Sequence, residues 1–195
     1  WTVLGAEHGA LPERITCDVA IIGSGAGAGI TTEMMTKAGL NVVIVEEGQI
    51  KSSTDFKQKE PEAYASLYQE NAGRKTKDKG ITILQGRSVG GTTTVNWTSS
   101  FHTPPDTLKF WQDKFGLKDY TTETLAPYFQ QAQTRLNISP WATSPNENNE
   151  LLRRGAAKLG IKAEVIPRNV KGCYNLGSCG MGCPTNAKQS MLVTT

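Results

Sequence analysis

An α/β fold built on a Rossmann-like parallel sheet is the class this sequence predicts. Three observations predict it. Two short apolar runs, Cys17 to Ile22 and Asn41 to Glu46, have the length and composition of buried strands. Between them a glycine-rich turn, Gly23 to Gly29, leads into helix formers from Ile30 to Ala38, closed by Gly39 where a helix end favours glycine. Glycine is also abundant, 20 of 195 residues against a usual share of about 7%, and much of it falls in a few short runs. Strand, glycine turn, helix and strand make a βαβ unit, in which the two strands lie parallel.

The composition narrows the function classes. Hydrophobic residues are 37% and charged residues 20%, the balance of a globular chain rather than a disordered one. No apolar run approaches the ~18 residues of a spanning helix. The net charge is +3 with Lys and Arg scattered, so no basic face marks a nucleic-acid partner. The chain begins at Trp1, not Met, and no charged region followed by an apolar one can be read at its start as a secretory signal. We expect a cytoplasmic protein, or one at a membrane surface. Met191 to Thr195 is an apolar, β-branched run that stops without a turn signal, which points to a piece of a longer chain.

Beyond the βαβ unit the chain turns polar. Glu60 to Asn71 reads as a helix with Tyr64, Leu67 and Tyr68 on one face. The basic stretch Arg74 to Lys79 reads as a solvated loop, with a phosphate or acidic-partner contact as the alternative. Ile81 to Leu84 reads as a short strand leading into a second glycine segment, Gly86 to Asn96. Pro104-Pro105 breaks the chain. Helices are expected over Thr107 to Phe115 and Thr122 to Leu136, the latter capped by Thr121 or Thr122. Asn149 is expected to cap a helix from Glu150 to Leu159, which Gly160 ends. Lys162 to Ile166 reads as a strand, and Gly172 to Pro184 is rich in cysteine and glycine.

The first glycine run carries chemistry. Gly23-x-Gly25-x-x-Ala28 follows a strand and opens a helix. Gly23 permits the tight turn, Gly25 lets backbone approach a pyrophosphate, and Ala28 is small enough for close packing. The helix N-terminus offers free N–H groups and a partial positive charge to phosphates. Glu46, 23 residues after Gly23, ends the second strand where a carboxylate accepts hydrogen bonds from a ribose diol. Glu47 is the alternative, but Glu46 directly ends the apolar run. An acid here suits FAD or NAD and repels the extra phosphate of NADP.

The second run separates FAD from NAD. In Gly86-Arg87-Ser88-Val89-Gly90-Gly91-Thr92-Thr93-Thr94-Val95-Asn96, two adjacent glycines precede three hydroxyl residues. Such a backbone can lie flat against a ligand with short donors beside it. Together the two motifs resemble the glucose–methanol–choline (GMC) oxidoreductases, whose N-terminal part carries G-R-x-x-G-G-[ST]-[ST]-x-x-N. Asn186 to Ser190 is similar to the family's later G-x-[RK]-x-S segment, with Asn at the glycine position.

The resemblance implies an FAD-binding, Rossmann-like sheet that is incomplete here. Residues 1–103 would form its first part, 104–160 a helical insertion opening the cap or substrate region, and 161–195 a return to the FAD domain. Gly90 and Gly91 would lie against the FAD pyrophosphate, with Arg87 in the same motif. Thr94, Val95 and Asn96 would lie near the isoalloxazine ring. Some members attach FAD through a His just before the Asn; Val95 stands there, so non-covalent FAD is expected. The implied activity is oxidation of an alcohol CH–OH group by hydride transfer to flavin, which O2 or a quinone-like acceptor reoxidises. The family's base is one of a His–His or His–Asn pair near the end of a longer chain. His8 and His102 lie in no matching context, so no catalytic residue is expected in this chain, and alone it should not turn over. Completing the four or five expected strands would need the remaining sequence or another subunit.

Other features leave alternatives open. Trp97, Phe101, Phe110, Trp111 and Phe115 would line an apolar pocket or pack in a core. Asn96-Trp97-Thr98 and Asn137-Ile138-Ser139 match the N-x-[ST] glycosylation pattern, but an Asn96 beside a buried flavin excludes a glycan there. Cys173-x5-Cys179-x3-Cys183 admits packed thiols, one disulfide, or a metal or iron–sulfur site, although a fourth ligand is lacking nearby. No metal is expected. The segment resembles a cysteine-rich loop of some bacterial and long-chain-alcohol members of the family. Cys17 reads as a small core residue. An NAD-dependent dehydrogenase accounts for Gly23 to Glu46 but not for Gly86 to Asn96. A non-catalytic nucleotide-binding or interaction module, and an electron-transfer subunit built on the cysteines, are the further alternatives.

Overall fold

The computed structural model describes residues 1–5 and 9–195. The expected βαβ unit is present. Strand β1 (Val19–Ile22) pairs parallel with β2 (Val42–Val45), Val19 opposite Val42 and Ile22 opposite Val45. Helix α1 (Ala26–Lys37) joins them. It starts inside the glycine run, one turn earlier than the composition suggested, with Gly25 as its extended N-cap. Gly29 is tolerated there because a bare Cα is required: a Cβ would sit 2.6 Å from the Met191 sulfur. Past Ala38 the Gly39 amide bonds Thr36 O at 3.0 Å and the Leu40 amide bonds Met35 O at 3.1 Å, with Gly39 at φ +86. This is the left-handed exit that glycine permits.

Helix α2 (Glu60–Leu67) ends earlier than expected, and a tight turn over Gln69–Ala72, with Glu70, Asn71 and Ala72 at positive φ, replaces its last turn. Its apolar face is the expected one. Leu67 and Tyr68 are buried, and Tyr64 meets Tyr68 edge-on at 5.4 Å between ring centroids. Phe56, Ala63, Leu67, Tyr68 and Val95 form the core cluster, with Met181 and Leu192 packed against it. The core therefore lies beneath the second glycine segment, not between the sheet and α1.

Two expected strands do not form. Ile81 to Leu84 meets Arg74 and Thr76 through the Ile83 and Thr76 amides at 2.8 and 3.0 Å, and only the Lys75–Thr82 pair forms a bridge. The turn that Asp78 closes on Thr76 and Gly80 is too tight for a ladder, and Ile81 and Leu84 stay exposed. Lys162 to Ile166 is likewise unpaired. The strand begins at Pro167, as β4 (Pro167–Asn169), because Asn169 is where partners are: its amide bonds Thr98 O at 3.2 Å, and the Gln189 amide bonds its carbonyl at 3.0 Å. β4 runs antiparallel to β3 (Ile138–Pro140). The described strands thus form two separate pairs, and Ile22 on β1 remains 82% exposed.

The helical insertion follows its sequence signals with two shifts. The prolines that read as a break open α3 (Pro105–Phe115), with Pro105 at the first helical position, where its missing N–H costs nothing. Helix α4 (Thr122–Arg135) is capped by Thr121, which exchanges bonds with Thr124. Helix α5 (Glu147–Lys158) is capped by Asn146, not Asn149: the Asn146 side chain accepts the Asn149 amide at 2.9 Å. An earlier start puts Glu147 and Glu150 in the first turn, where the helix dipole favours acids. The terminal apolar run is a short helix, α6 (Met191–Thr194). Arg135 ties α4 to α1 and α6, bridging Glu33 at 2.6 Å and donating to the Thr194 carbonyl. Bonding from Lys37 is the main cause that holds the Glu33 carboxyl below its ordinary range, and Arg135 adds to it. Among the described residues no helix is long and apolar enough to cross a membrane.

Burial, with Tyr64 adding to it, pushes the Tyr68 hydroxyl from 10.0 up to about 12. The folded state keeps a proton that the unfolded chain releases, so the stability this gives below pH 10 is lost as pH rises towards about 12. Alkaline unfolding followed by circular dichroism should show that loss in the full-length protein and lack this component in Tyr68→Phe.

Candidate cofactor site

The two glycine segments, far apart in sequence, meet at Ser24. The Ser24 amide and hydroxyl both donate to Glu46 Oε2, at 2.8 and 2.6 Å. The same hydroxyl accepts the Gly90 amide at 2.9 Å. The other carboxylate oxygen of Glu46 accepts the Gly48 amide at 2.8 Å. The expected turn, the expected acid and the expected glycine pair are therefore one hydrogen-bonded unit. Ser24 was not singled out by the sequence; its only signal was a short hydroxyl between two turn glycines.

The glycines have separate jobs. Gly23, at φ +84, turns the chain and donates to Val45 O at 2.7 Å. Gly91, at φ +55, stacks its bare Cα on Gly25, where a Cβ would come within 2.8 Å. The outer side of this junction is open: nothing lies within 4 Å of a Cβ built on Gly23, Gly25 or Gly27. The first turn of α1 carries no acid and no side-chain cap. Open backbone at an uncapped helix N-terminus fits an anionic pyrophosphate. Ala28 is half-buried, and the closest helix packing falls one residue later, at Gly29.

The remaining candidates divide. Thr94 and Val95 are buried. The Val95 side chain belongs to the apolar core cluster, which leaves only its backbone to line a ligand site. Asn96 Oδ1 is buried with no partner, an acceptor that fits a ligand donor such as a ring N–H. The threonine hydroxyls are spent on the chain itself instead of standing free beside a ligand. Thr92 accepts the Gly86 amide at 3.0 Å, Thr93 bonds Gly90 O at 2.5 Å, and Thr94 bonds Val89 O at 2.9 Å. Arg87 is drawn away from the glycine pair, because Glu47 offers its guanidinium a carboxylate at 3.3 Å on the exposed side. That pairing also takes Glu47 out of competition with Glu46.

Lys188, within the Ala-Lys-Gln-Ser stretch, anchors the segment from behind, donating to the Thr94 and Asn96 carbonyls at 2.8 Å each. The cysteines lie beside it. Cys173, Cys179 and Cys183 line one cleft of about 80 Å³ with Trp97, Trp141 and Arg168. All are free thiols, and among the described residues no group of three or more His, Cys, Asp or Glu is placed to hold a metal ion. Burial pushes the Cys183 thiol up, but hydrogen bonds from the Thr185 hydroxyl and from the Lys188, Thr185 and Ala187 amides outweigh it and bring it below the thiol range. His102 is exposed and stacks on Phe129 at 4.5 Å beside a cleft of about 290 Å³. His8 lies outside the described residues. Trp97, Phe101, Phe110 and Phe115 are exposed rather than core. Asn137 donates from its side chain to Val170 O at 2.6 Å.

Parallel strands, an open glycine turn and a carboxylate at the second strand's end define a dinucleotide-binding α/β protein. The family model for GMC oxidoreductase matches residues 64–195, most of the chain. The chain belongs to the GMC oxidoreductase family, as its FAD-binding N-terminal part. It is 31% identical over 175 residues to a long-chain-alcohol oxidase of Arabidopsis thaliana, covering 90% of this chain and 23% of that protein. It is 34% identical over 180 residues to an uncharacterized GMC-type oxidoreductase of Mycobacterium tuberculosis, covering 91% of this chain and 29% of that one. The chain thus spans about a quarter of the length of the curated relatives it matches. Among solved structures, a pyridoxine 4-oxidase aligns at TM-score 0.45 and 20% identity, over 59% of this chain and 24% of that one.

The Gly91–Gly25 contact gives a direct prediction. Gly91→Ala should push the two turns apart and weaken FAD binding by about tenfold or more, read by flavin fluorescence titration of the full-length protein.

Proposed function

We propose that this chain is the cofactor-holding part of an enzyme that oxidises an alcohol CH–OH group with FAD. The observation that carries the reading is the Ser24 junction, which places an acid, an open helix N-terminus and the second glycine segment in one site. In this reading the N–H groups at Gly25 to Ala28 bind the pyrophosphate. Held in place by Ser24 and Gly48, Glu46 keeps one lone pair for a ribose hydroxyl, on the oxygen that accepts the Gly48 amide. Gly90 and Gly91 lie along the cofactor, and Asn96 offers its unpartnered oxygen towards the ring. FAD held there would supply a hydride acceptor for the carbinol carbon, with the hydroxyl proton going to a base. No residue of this chain is assigned to that base.

Non-covalent binding follows from Val95, which has no nucleophile. Residues 1–103 and 161–195 would build the cradle, with 104–160 opening the substrate region. The exposed aromatic residues Phe101, Phe110 and Phe115 would then be covered by the substrate or by the remainder of that region. The electron acceptor is O2 or a quinone-like molecule. An NAD-dependent dehydrogenase is disfavoured because it gives the second glycine segment no role.

The full-length protein should purify yellow, with flavin absorbance that acid precipitation releases into solution. Anaerobic addition of a primary alcohol should bleach that absorbance, and O2 or a quinone should restore it. Colourless protein, or flavin that no alcohol bleaches, would contradict the proposal.

A further inference from the structure

Lys188 is 2% exposed, and its ammonium meets carbonyl oxygens rather than a carboxylate. An ammonium has three donors. Here one goes to Thr94 O at 2.8 Å, one to Asn96 O at 2.8 Å and one to Cys179 O at 2.6 Å. The group is saturated and its position is fixed from the backbone as well. Lys188 bridges Val170, its amide bonds the Cys183 sulfur at 3.5 Å, and the Lys171 amide bonds Ala187 O at 2.8 Å. Burying a cation without an anion is expensive. Three carbonyls converging on one atom need three donors, which a neutral amide with two N–H groups does not supply and the ammonium does. The same group that holds these carbonyls therefore places a full positive charge beside them.

The carbonyls it holds are those on either side of Val95, in the segment assigned to the flavin ring. We propose that Lys188 is a positioning residue and a fixed positive charge for the flavin: it sets the Thr94–Asn96 backbone and favours the reduced, more negative state of the ring. This rests on the proposed function above. Reduction by an alcohol brings two electrons and one proton to the ring, and a cation held behind the segment in a low-dielectric interior stabilises the added charge. The groups that face Lys188 are the Cys179 and Cys183 thiols. Tyr68, which donates to Gly180 O at 2.7 Å, and Arg168, which donates to Trp97 O at 2.8 Å, hold the surrounding backbone. Burial pulls the Lys188 pKa down to about 8, and the two thiols oppose the fall. The charge therefore titrates in an accessible range, and reduction of the ring should raise its affinity for the proton.

The test is the midpoint potential of the flavin in the full-length holoenzyme, measured from about pH 6 to about pH 10. In the wild type the plot of potential against pH should steepen around pH 8. Lys188→Arg keeps the charge and the donors but does not titrate, so the steepening should vanish. Cys183→Ser should keep it. Lys188→Gln should lower the potential at neutral pH by about 30 mV, a tenfold change for a two-electron couple. If Lys188→Gln does not hold FAD, the wild type and Lys188→Arg decide alone. Steepening that persists in Lys188→Arg, or a Lys188→Gln potential equal to wild type, would overturn the proposal. Wild-type protein without FAD would overturn the proposed function instead.

Discussion

The Ser24 hydroxyl accepts the Gly90 amide at 2.9 Å and donates to the Glu46 carboxylate at 2.6 Å. Segments 66 residues apart are joined there, with little room for another side chain. Threonine would add a methyl group at a position only 7% exposed, and alanine would leave both the Gly90 amide and the carboxylate short of a partner. The glycines on either side follow from the same junction. Gly91 must be bare to rest on Gly25, and Gly48 must be bare because a Cβ would lie 2.4 Å from the Ser88 nitrogen. Close backbone approach is what brings the second segment alongside the first turn, and that alignment defines the site.

Support for the junction comes from below and behind rather than from the sheet. The core cluster of Phe56, Leu67, Tyr68 and Val95 lies under the second segment. Gly182, at φ +85, lets the turn after Cys179 press on Phe56, where a Cβ would come within 2.1 Å. Lys188 fastens that turn to the Thr94 and Asn96 carbonyls. Met191 fills the groove at Gly29 and donates its amide to the Thr93 hydroxyl at 3.0 Å, so α6 closes the back of the site. The parallel pair, by contrast, leaves Ile22 and Val45 exposed, at 82% and 55%. The site is thus better packed than the sheet that presents it.

The βαβ unit was legible because strand, turn and helix signals fell in order within thirty residues of each other. The caps of α4 and the glycine exit of α1 were legible for the same local reason. The strands at Ile81 and Lys162 were misread because a short apolar run fixes hydrophobicity, not a partner, and pairing depends on what the rest of the fold brings near. The Asn146 cap shows the limit of cap reading where several asparagines compete. In the site, glycine spacing pointed to the turn and to Glu46, which the structure joins through Ser24, but the side chains that join the motifs are polar residues with many ordinary uses. Ser24 and Lys188 acquire meaning only when partners from 66 and 92 residues away are seen. Arg87 went the other way: its motif position suggested the cofactor, and a nearby Glu47 claimed it.

The central claim is that Ser24 and Glu46 act as one unit in holding FAD. A double-mutant cycle on FAD affinity, with Ser24→Ala, Glu46→Gln and the pair in the full-length protein, tests it most directly. The account predicts that each single change weakens binding and that the pair falls short of their sum by about 1 kcal/mol, as residues sharing a bond do. Strictly additive losses, or binding that neither substitution changes, would contradict it.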